Sequence, residues 1–243
     1  MRALTEDRFY GGRLVVCQHR DGYRFSIDAA LLAAFVRTAP EARVVDLGCG
    51  CGIVALLMAF LEPSCRVVGV EIQPGLATLA KTNVARNRLE GRITILEKDL
   101  RQLQRRHCGP VDLVVANPPF RPAGSGRINP DEERAGARHE ILGTLADFVS
   151  AGRRLLNPGG SLMLIYPASR GVDLILTLRK AGLEPKYLRL VHTRPGSGAR
   201  LILVRALKGA GPALEVGPPL FVYQAPGQYG QEVAAMLDPS SGV

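Results

Sequence analysis

The segment Asn117-Pro118-Pro119-Phe120 combines residue types that can act together on one small planar group. It directly follows the segment from Asp112 to Ala116, which is apolar after its first residue and has the composition of a strand. Two consecutive prolines hold the backbone extended, and they fix the directions of the neighbouring carbonyl groups. The motif therefore predicts a rigid strand end that carries an amide side chain, aimed carbonyl oxygens and an aromatic ring.

These groups suit a planar amino or amide nitrogen, whose delocalised lone pair makes it a weak nucleophile. The Asn117 side-chain oxygen and the Pro118 carbonyl oxygen can each accept one hydrogen of such a nitrogen, which turns its lone pair toward an electrophile. Phe120 can stack on a base and hold it there. Asn-Pro also begins ordinary turns. We interpret the motif as catalytic, with Pro119 as its fourth member, because it follows the fourth strand of the series described below.

A glycine-rich loop lies between an earlier strand and helix, in Val45-Asp46-Leu47-Gly48-Cys49-Gly50-Cys51-Gly52. Glycines let a ligand approach the backbone closely. Dinucleotide-binding loops have the related spacing G-x-G-x-x-G, whereas here the spacing is G-x-G-x-G after an aspartate. The pattern resembles motif I of class I methyltransferases, whose loop cradles the methionine and ribose portions of S-adenosylmethionine. This resemblance implies cofactor contacts from Asp46, Leu47, Gly48, Cys49, Gly50 and Gly52.

Two acidic residues follow the next two strands. Glu71 lies roughly 20 residues beyond the loop, where an acidic residue meets ribose hydroxyls in this kind of fold, and Ile72 is predicted to pack on the adenine. Asp99 and Leu100 occupy the place where this fold hydrogen-bonds the adenine amino group of the cofactor. Two other interpretations stay open: Glu71 as an exposed acid, and Asp99 as a helix N-cap.

Three further stretches narrow the resemblance: Gly22 to Ala33, Ala137 to Glu140, and Gly217 to Tyr223. With the Asn-Pro-Pro-aromatic motif they resemble the bacterial tRNA(Val) (adenine-37-N6)-methyltransferase family over nearly the whole chain. The resemblance implies a methyltransferase that uses S-adenosylmethionine and acts on adenine N6 in tRNA. That family usually has tyrosine where this chain has Phe120, which keeps the stacking face and loses a hydroxyl.

The resemblance also implies that Phe25, Ser26 and Asp28 lie beside the methionine end of the cofactor, with Asp28 facing its amino group. Asp28 can equally serve as N-cap of a helix predicted over Ala29 to Val36. We assign no catalytic role to His139.

Charge and a long loop favour a polyanionic partner. The net charge is +9, and 26 of the 31 basic residues are arginine, although genome bias or stability can also produce an arginine-rich composition. Residues 121–136 form a polar, glycine-rich stretch, and loops of this length are usually functional or disordered. The candidate phosphate contacts are Arg121, Arg127, Arg134 and Arg138.

The elements that must position these residues alternate between short β-branched runs and helical patterns from residue 43 onward. This alternation predicts an α/β fold, a Rossmann-like class I methyltransferase sheet with helices on both faces. Residues 157–160 are predicted to form a turn before the fifth strand. The predicted divisions are an N-terminal extension (1–42), a core (43–208) and a C-terminal extension (209–243). The seven predicted strands are 44–47, 67–70, 93–96, 111–116, 161–166, 187–191 and 201–204.

The cysteines and the hydropathy indicate a cytoplasmic protein without a metal. Five cysteines make an odd number, and neither they nor the histidines have metal-ligand spacing. The chain shows no apolar leader and no run long enough to span a bilayer. We therefore expect a reducing compartment and no membrane partner.

Three alternatives remain. The same motif serves a glutamine amide of a release factor, but that family carries a helical domain before the glycine loop, and only 45 residues precede Asp46 here. Sequence-specific methylation of DNA adenine normally requires an extra recognition domain. A non-catalytic RNA-binding module is the third, because a fold alone does not establish activity.

Overall fold

A mixed sheet forms the centre of the computed structural model, which describes residues 3–21, 25–36, 38–120 and 143–237. The helices are α1 (Ile27–Phe35), α2 (Ile53–Leu61), α3 (Pro74–Arg86), α4 (Arg105–Cys108), α5 (Leu145–Leu155), α6 (Gly171–Lys180) and α7 (Gln231–Leu237). The strands are β1 (Leu4–Phe9), β2 (Leu14–His19), β3 (Arg43–Leu47), β4 (Arg66–Glu71), β5 (Ile93–Glu97), β6 (Val111–Ala116), β7 (Leu156–Pro167), β8 (Leu183–His192), β9 (Ala199–Lys208), β10 (Glu215–Val216), β11 (Leu220–Phe221), β12 (Tyr223–Ala225) and β13 (Gln228–Tyr229).

All seven predicted strands are present in the central sheet. Their order is β8-β9-β7-β6-β3-β4-β5, and β9 runs antiparallel to both of its neighbours while the other pairs are parallel. The two short strands β10 and β11 add to the sheet beside β8, each parallel to it. The predicted α/β class is therefore confirmed.

Helices cover both faces of this sheet, as the alternating pattern predicts. On one face α1, α2 and α3 pack into an apolar cluster that includes Leu31, Leu56 and Leu79. On the other face α5 and α6 contribute to a second cluster that includes Phe148 and Leu174. Parallel strands buried on both sides read as continuous apolar runs, and this explains why their positions were recognisable.

The connection order places two loops side by side at one edge of the sheet. From β3 the chain builds outward through β4 and β5, then returns to add β6 on the other side of β3. Leu47 is in register with Ala116, so the residues after them leave adjacent strand ends. Ligands bind at such reversal points beyond the carboxyl ends of strands.

The hairpin of β1 and β2 is a feature that sequence reasoning missed. Its turn places Tyr10 at φ 55°, where the ring stacks on Phe60 of α2 with centroids 4.3 Å apart. Asn83 of α3 pairs with the Cys17 backbone, accepting from its N–H at 2.8 Å and donating to its carbonyl at 3.0 Å. Asn83 also donates to the Cys51 carbonyl at 2.9 Å, so one buried amide ties the hairpin to the glycine loop.

The C-terminal segment packs along the β8 edge. The Gly217 N–H donates to the Leu188 carbonyl at 2.8 Å, and a side chain at Gly217 would collide with the Tyr187 ring. Glu232 of α7 forms an ion pair with Arg189. The three predicted divisions of the chain stay predictions.

Residues 157–160, predicted as a turn, fall inside the range of β7, which begins at Leu156, but the pairing of β7 with β6 resumes only at Ser161, where its pairing with β9 also begins. Gly159 has φ 74°, and the register of β7 with β6 shifts between Leu156 and Ser161. The Pro-Gly-Gly signal therefore marks an irregularity inside a strand. Among the described residues, none of the helices is both long and apolar enough to cross a bilayer.

Candidate active site

The glycine loop after β3 adopts a backbone that favours glycine. Gly48, Gly50 and Gly52 have φ values of 69°, 57° and 86°. The N–H groups of Gly48 and Cys49 donate to the Val70 carbonyl at 2.8 and 3.0 Å, which ties the loop to β4. A Cβ atom at Gly48 would lie 3.1 Å from the Phe148 ring, so that ring packs closely on the loop and disfavours any side chain at this position.

Glu71 is buried beneath this loop and fixes its conformation. Its carboxylate accepts from the Gly50 N–H and the Gln73 N–H, each at 2.9 Å. Burial raises the pKa of Glu71, and these two N–H groups oppose that effect. A carboxylate has capacity for further donors, so the predicted contact with ribose hydroxyls fits this geometry, and the alternative of an exposed strand-end acid is wrong.

Asp46, near the end of β3 beside the glycine loop, has a buried carboxylate oxygen without a hydrogen-bond donor among the described residues. The residue is 1% exposed, and the oxygen is Oδ2. Burial raises the pKa of Asp46 to about 7, a backbone hydrogen bond from Ala55 opposes this, and the charge of Glu71 adds to it. An orphaned buried acceptor costs free energy, which fits a site built to receive a donor.

We expect Asp46 to make the stability of the cofactor-free protein fall as pH rises. The folded-state pKa of about 7 lies above the reference value of 3.8, so between these values the folded protein holds a proton that the unfolded chain has released. The resulting stabilisation is present at low pH and is lost as pH rises through 7. Relative to Asp46→Asn, the free energy of unfolding should fall by on the order of 4 kcal/mol at most. Denaturant titrations of both proteins across this window measure it, and parallel curves would contradict the assignment.

A recess lies beside the glycine loop. It is open to solvent on one side, and its lining combines the polar Glu71 and Asn117 with the apolar Leu76 and Phe148. Its lining residues come from the carboxyl ends of β3, β4, β5 and β6 and from α3 and α5. They are Gly48, Gly50, Val70, Glu71, Ile72, Gln73, Leu76, Lys98, Leu100, Asn117, Pro119, Gly143 and Phe148.

The carboxylate of Asp99 is hydrogen-bonded to Arg101. Its side chain accepts from the Arg101 N–H at 2.8 Å and caps a short helical turn, and the Arg101 guanidinium binds both carboxylate oxygens. That guanidinium lowers the pKa of Asp99. The N-cap interpretation is therefore confirmed, whereas contact of Asp99 with a cofactor stays a prediction. Leu100 does line the recess.

The Asn-Pro-Pro-Phe motif extends from the end of β6, as predicted. Pro118 is buried, Asn117 and Pro119 are half-buried, and Phe120 is 37% exposed. Within the described residues the Asn117 side chain has no hydrogen-bond partner. The amide is thus available to a ligand, and the ring beside it is available for stacking.

A second, wider recess lies on the other side of this motif, with a volume of about 760 Å³. Asn117 and Pro119 line both recesses, so the motif forms the boundary between them. The other residues of the second recess are Ser26, Ile27, Asp28, Pro118, Phe120, Pro167, Ser169, Arg170, Val191, His192, Thr193, Ala199, Arg200, Leu201, Val222 and Tyr223.

The segment before α1 contributes to the second recess in a way that corrects one prediction. The helix begins at Ile27, so Ser26 holds the N-cap position, without a side-chain cap bond, and Asp28 lies in the first turn. The predicted N-cap role of Asp28 is therefore wrong. Burial raises the pKa of Asp28, with opposing hydrogen bonds from Ser26 and its own backbone and a smaller opposing effect of Arg200. The Phe25 N–H donates to Gln18 at 2.8 Å.

Several lining residues were absent from the predicted set. Arg170, His192, Arg200 and Tyr223 come from elements far apart in sequence, and no spacing pattern links them. Arg170 donates to the Phe120 carbonyl at 3.4 Å, which braces the end of the catalytic motif. The predicted phosphate contacts Arg121, Arg127, Arg134 and Arg138, together with His139, lie outside the described residues.

Solved structures with a similar fold are methyltransferases. A predicted O-methyltransferase from Agrobacterium tumefaciens superposes with a TM-score of 0.69 at 24% identity, covering 86% of this chain and 94% of that one. A putative RNA methyltransferase from Pyrococcus horikoshii gives a TM-score of 0.54 at 16% identity, covering 75% and 82%. At these identities the likeness concerns the fold.

Sequence relatives carry a more specific name. A tRNA1(Val) (adenine(37)-N6)-methyltransferase from Porphyromonas gingivalis is 32% identical over 251 residues, covering 97% of this chain and 95% of the relative. One of the same name from Aeromonas hydrophila is 30% identical over 221 residues, covering 90% and 91%. The methyltransferase small domain family model matches residues 23–180. The chain therefore belongs to the methyltransferase small domain family and is an S-adenosylmethionine-dependent methyltransferase.

Proposed function

We propose that this enzyme methylates the N6 amino group of adenine 37 in tRNA(Val), in the cytoplasm. The relatives named for this reaction align over 90% or more of the chain. The Asn-Pro-Pro-Phe motif supports the same chemistry, because it offers acceptors for both hydrogens of a planar amino group. Arginine in the second recess supports an RNA substrate.

One observation carries the proposal: Asn117 and Pro119 line both recesses. The recess with the glycine loop and Glu71 fits the cofactor, and the recess with Phe120 is wide enough for a splayed nucleotide. Residues at this boundary can contact the cofactor on one side and the substrate base on the other. Methyl transfer needs such a boundary, because the reacting nitrogen and the methyl carbon must approach closely and in line.

The chain's own residues prepare the amino group. S-adenosylmethionine would supply a methyl group on a sulfonium, which would leave as the neutral thioether S-adenosylhomocysteine, and the methylated nitrogen would release one proton to solvent after the transfer. Asn117 Oδ1 and the Pro118 carbonyl accept the two amino hydrogens, and they thereby direct the nitrogen lone pair across the boundary. Phe120 stacks on the base and keeps it in register. The glycine loop and Glu71 would hold the cofactor on the opposite side.

RNA binding by this enzyme should depend strongly on salt, because arginine contacts to phosphate release counterions. Each contact to a single strand contributes roughly −0.7 to the slope of log K against log salt. Arg200 lines the second recess, so Arg200→Gln should reduce that slope by about 0.7. Arg66→Gln, at the opposite end of the sheet, is the matched control and should leave the slope unchanged. A flat plot for the wild-type enzyme would remove RNA as the substrate class.

Mass spectrometry of nucleosides from a deletion strain tests the proposed function in the cell. We expect N6-methyladenosine to vanish from tRNA(Val) and to return when the gene is restored, but not when an Asn117→Ala gene is supplied. Unchanged N6-methyladenosine beside an unmethylated glutamine in a release factor would instead support the protein-amide alternative.

A further inference from the structure

A stacked pair of tyrosines lies at the rim of the second recess. Tyr223 and Tyr229 belong to the short hairpin of β12 and β13. Their rings are 5.2 Å apart between centroids and inclined by 14°. Tyr229 is 41% exposed. An exposed stacked pair offers a flat aromatic surface to which a further ring can add.

The pair is fixed to the recess that we assign to the substrate base. Tyr223 itself lines that recess together with Phe120. Its N–H donates to the Thr193 carbonyl at 2.9 Å, and the Val222 N–H donates to the His192 carbonyl at 2.9 Å. The hairpin is therefore anchored to the end of β8, and the aromatic surface continues the wall of the recess outward.

Two arginines lie close to this surface along the chain that joins β8 to β9. Arg194 follows Thr193, and Arg200 lines the recess. Ser197 holds the connecting turn, accepting from the Arg194 N–H at 3.1 Å and donating to its carbonyl at 2.7 Å. The charge of Arg200 also acts on Asp28 across the recess, where it opposes the rise in the Asp28 pKa. Exposed aromatic rings beside cationic side chains are the combination with which proteins bind single-stranded nucleic acid.

We propose that Tyr223 and Tyr229 form a stacking platform for the nucleotide that neighbours the target adenine in single-stranded RNA, with Arg194 and Arg200 contacting its phosphates. This inference rests on the proposed function. A base drawn into the recess leaves its neighbour without a stacking partner, and unstacking costs a few kcal/mol. A platform at the rim replaces the lost partner, so the loop can open at a lower cost.

Replacement of Tyr229 by leucine tests the platform, because it removes the ring and keeps an apolar side chain. RNA affinity should fall by about 5- to 150-fold, the effect of losing one stacked base. Tyr229→Phe keeps the ring and should bind as the wild type does. Aminopurine, a fluorescent adenine analogue placed beside the target adenine, should be quenched by the wild type and Tyr229→Phe and not by Tyr229→Leu. Cofactor affinity and the single-turnover rate at saturating RNA should not change.

Arg194→Gln provides a second variant that does not disturb the hairpin, and it should reduce the salt slope of RNA binding by about 0.7. If the wild type methylates RNA but Tyr229→Leu binds RNA equally well, the platform is overturned and the proposed function stands. If the wild type methylates no RNA, the proposed function fails. The platform is then supported if Tyr229→Leu weakens RNA binding, and it is overturned if RNA binding is unchanged.

Discussion

Replacement of Asn117 by alanine is expected to slow single-turnover methyl transfer by about 10²- to 10³-fold, the usual cost of losing one preorganised hydrogen-bonding group in an active site. The amide lies at the boundary of the two recesses, and it acts most strongly when the reacting nitrogen becomes pyramidal. An interaction made mainly in the transition state lowers turnover more than binding when it is removed. Cofactor affinity should therefore be retained.

Asn117→Asp is the matched control, because it keeps an acceptor oxygen at the same position. Its loss of rate should be smaller than that of Asn117→Ala. Single-turnover transfer to unmodified tRNA at saturating cofactor, run beside a cofactor titration for each variant, separates the two effects. An Asn117→Ala enzyme that transfers methyl groups at nearly the wild-type rate would eliminate this role of the amide.

Phe120→Ala should weaken RNA binding by roughly 1–3 kcal/mol, the usual worth of base stacking on an aromatic ring. Phe120 lines the substrate recess and is 37% exposed, so truncation removes contact area without opening the core. The reacting nitrogen keeps its two acceptors, and the rate at saturating RNA should fall less than in Asn117→Ala.

Phe120→Tyr serves as the control for this loss, since it keeps the aromatic ring. Filter binding or fluorescence anisotropy with unmodified tRNA measures the affinity of both variants. Equal affinity of Phe120→Ala and the wild type would show that the base does not stack on this ring.

Local sequence signals predicted those parts of the site that lie within one short segment. The glycine loop and the Asn-Pro-Pro-Phe motif each carry their chemistry in consecutive residues, and β3 and β6 bring them together because those strands are neighbours. The helix α2 (Ile53–Leu61) begins directly after Gly52 and is apolar throughout, so this part of the site also depends on consecutive residues.

Residues whose roles depend on distant contacts were not predictable in this way. Tyr10 has φ 55° and stacks on Phe60, a contact between distant residues that no spacing pattern reveals, although Gly11-Gly12 is a local signal for the hairpin turn. Arg200 and Tyr223 reach the recess only through the antiparallel return of β9 and the anchoring of Tyr223 to Thr193. The N-cap of α1 falls at Ser26 and not at Asp28, an error of the size expected for helix ends.

Methyl transfer by the purified enzyme to an unmodified tRNA(Val) transcript tests the central claim most directly. The product is digested, and mass spectrometry locates the methyl group in the sequence. We expect one N6-methyladenosine per transcript, at adenine 37, and none in a transcript that carries guanine there. Methylation at another position, or transfer to a release-factor glutamine and not to tRNA, would contradict the account.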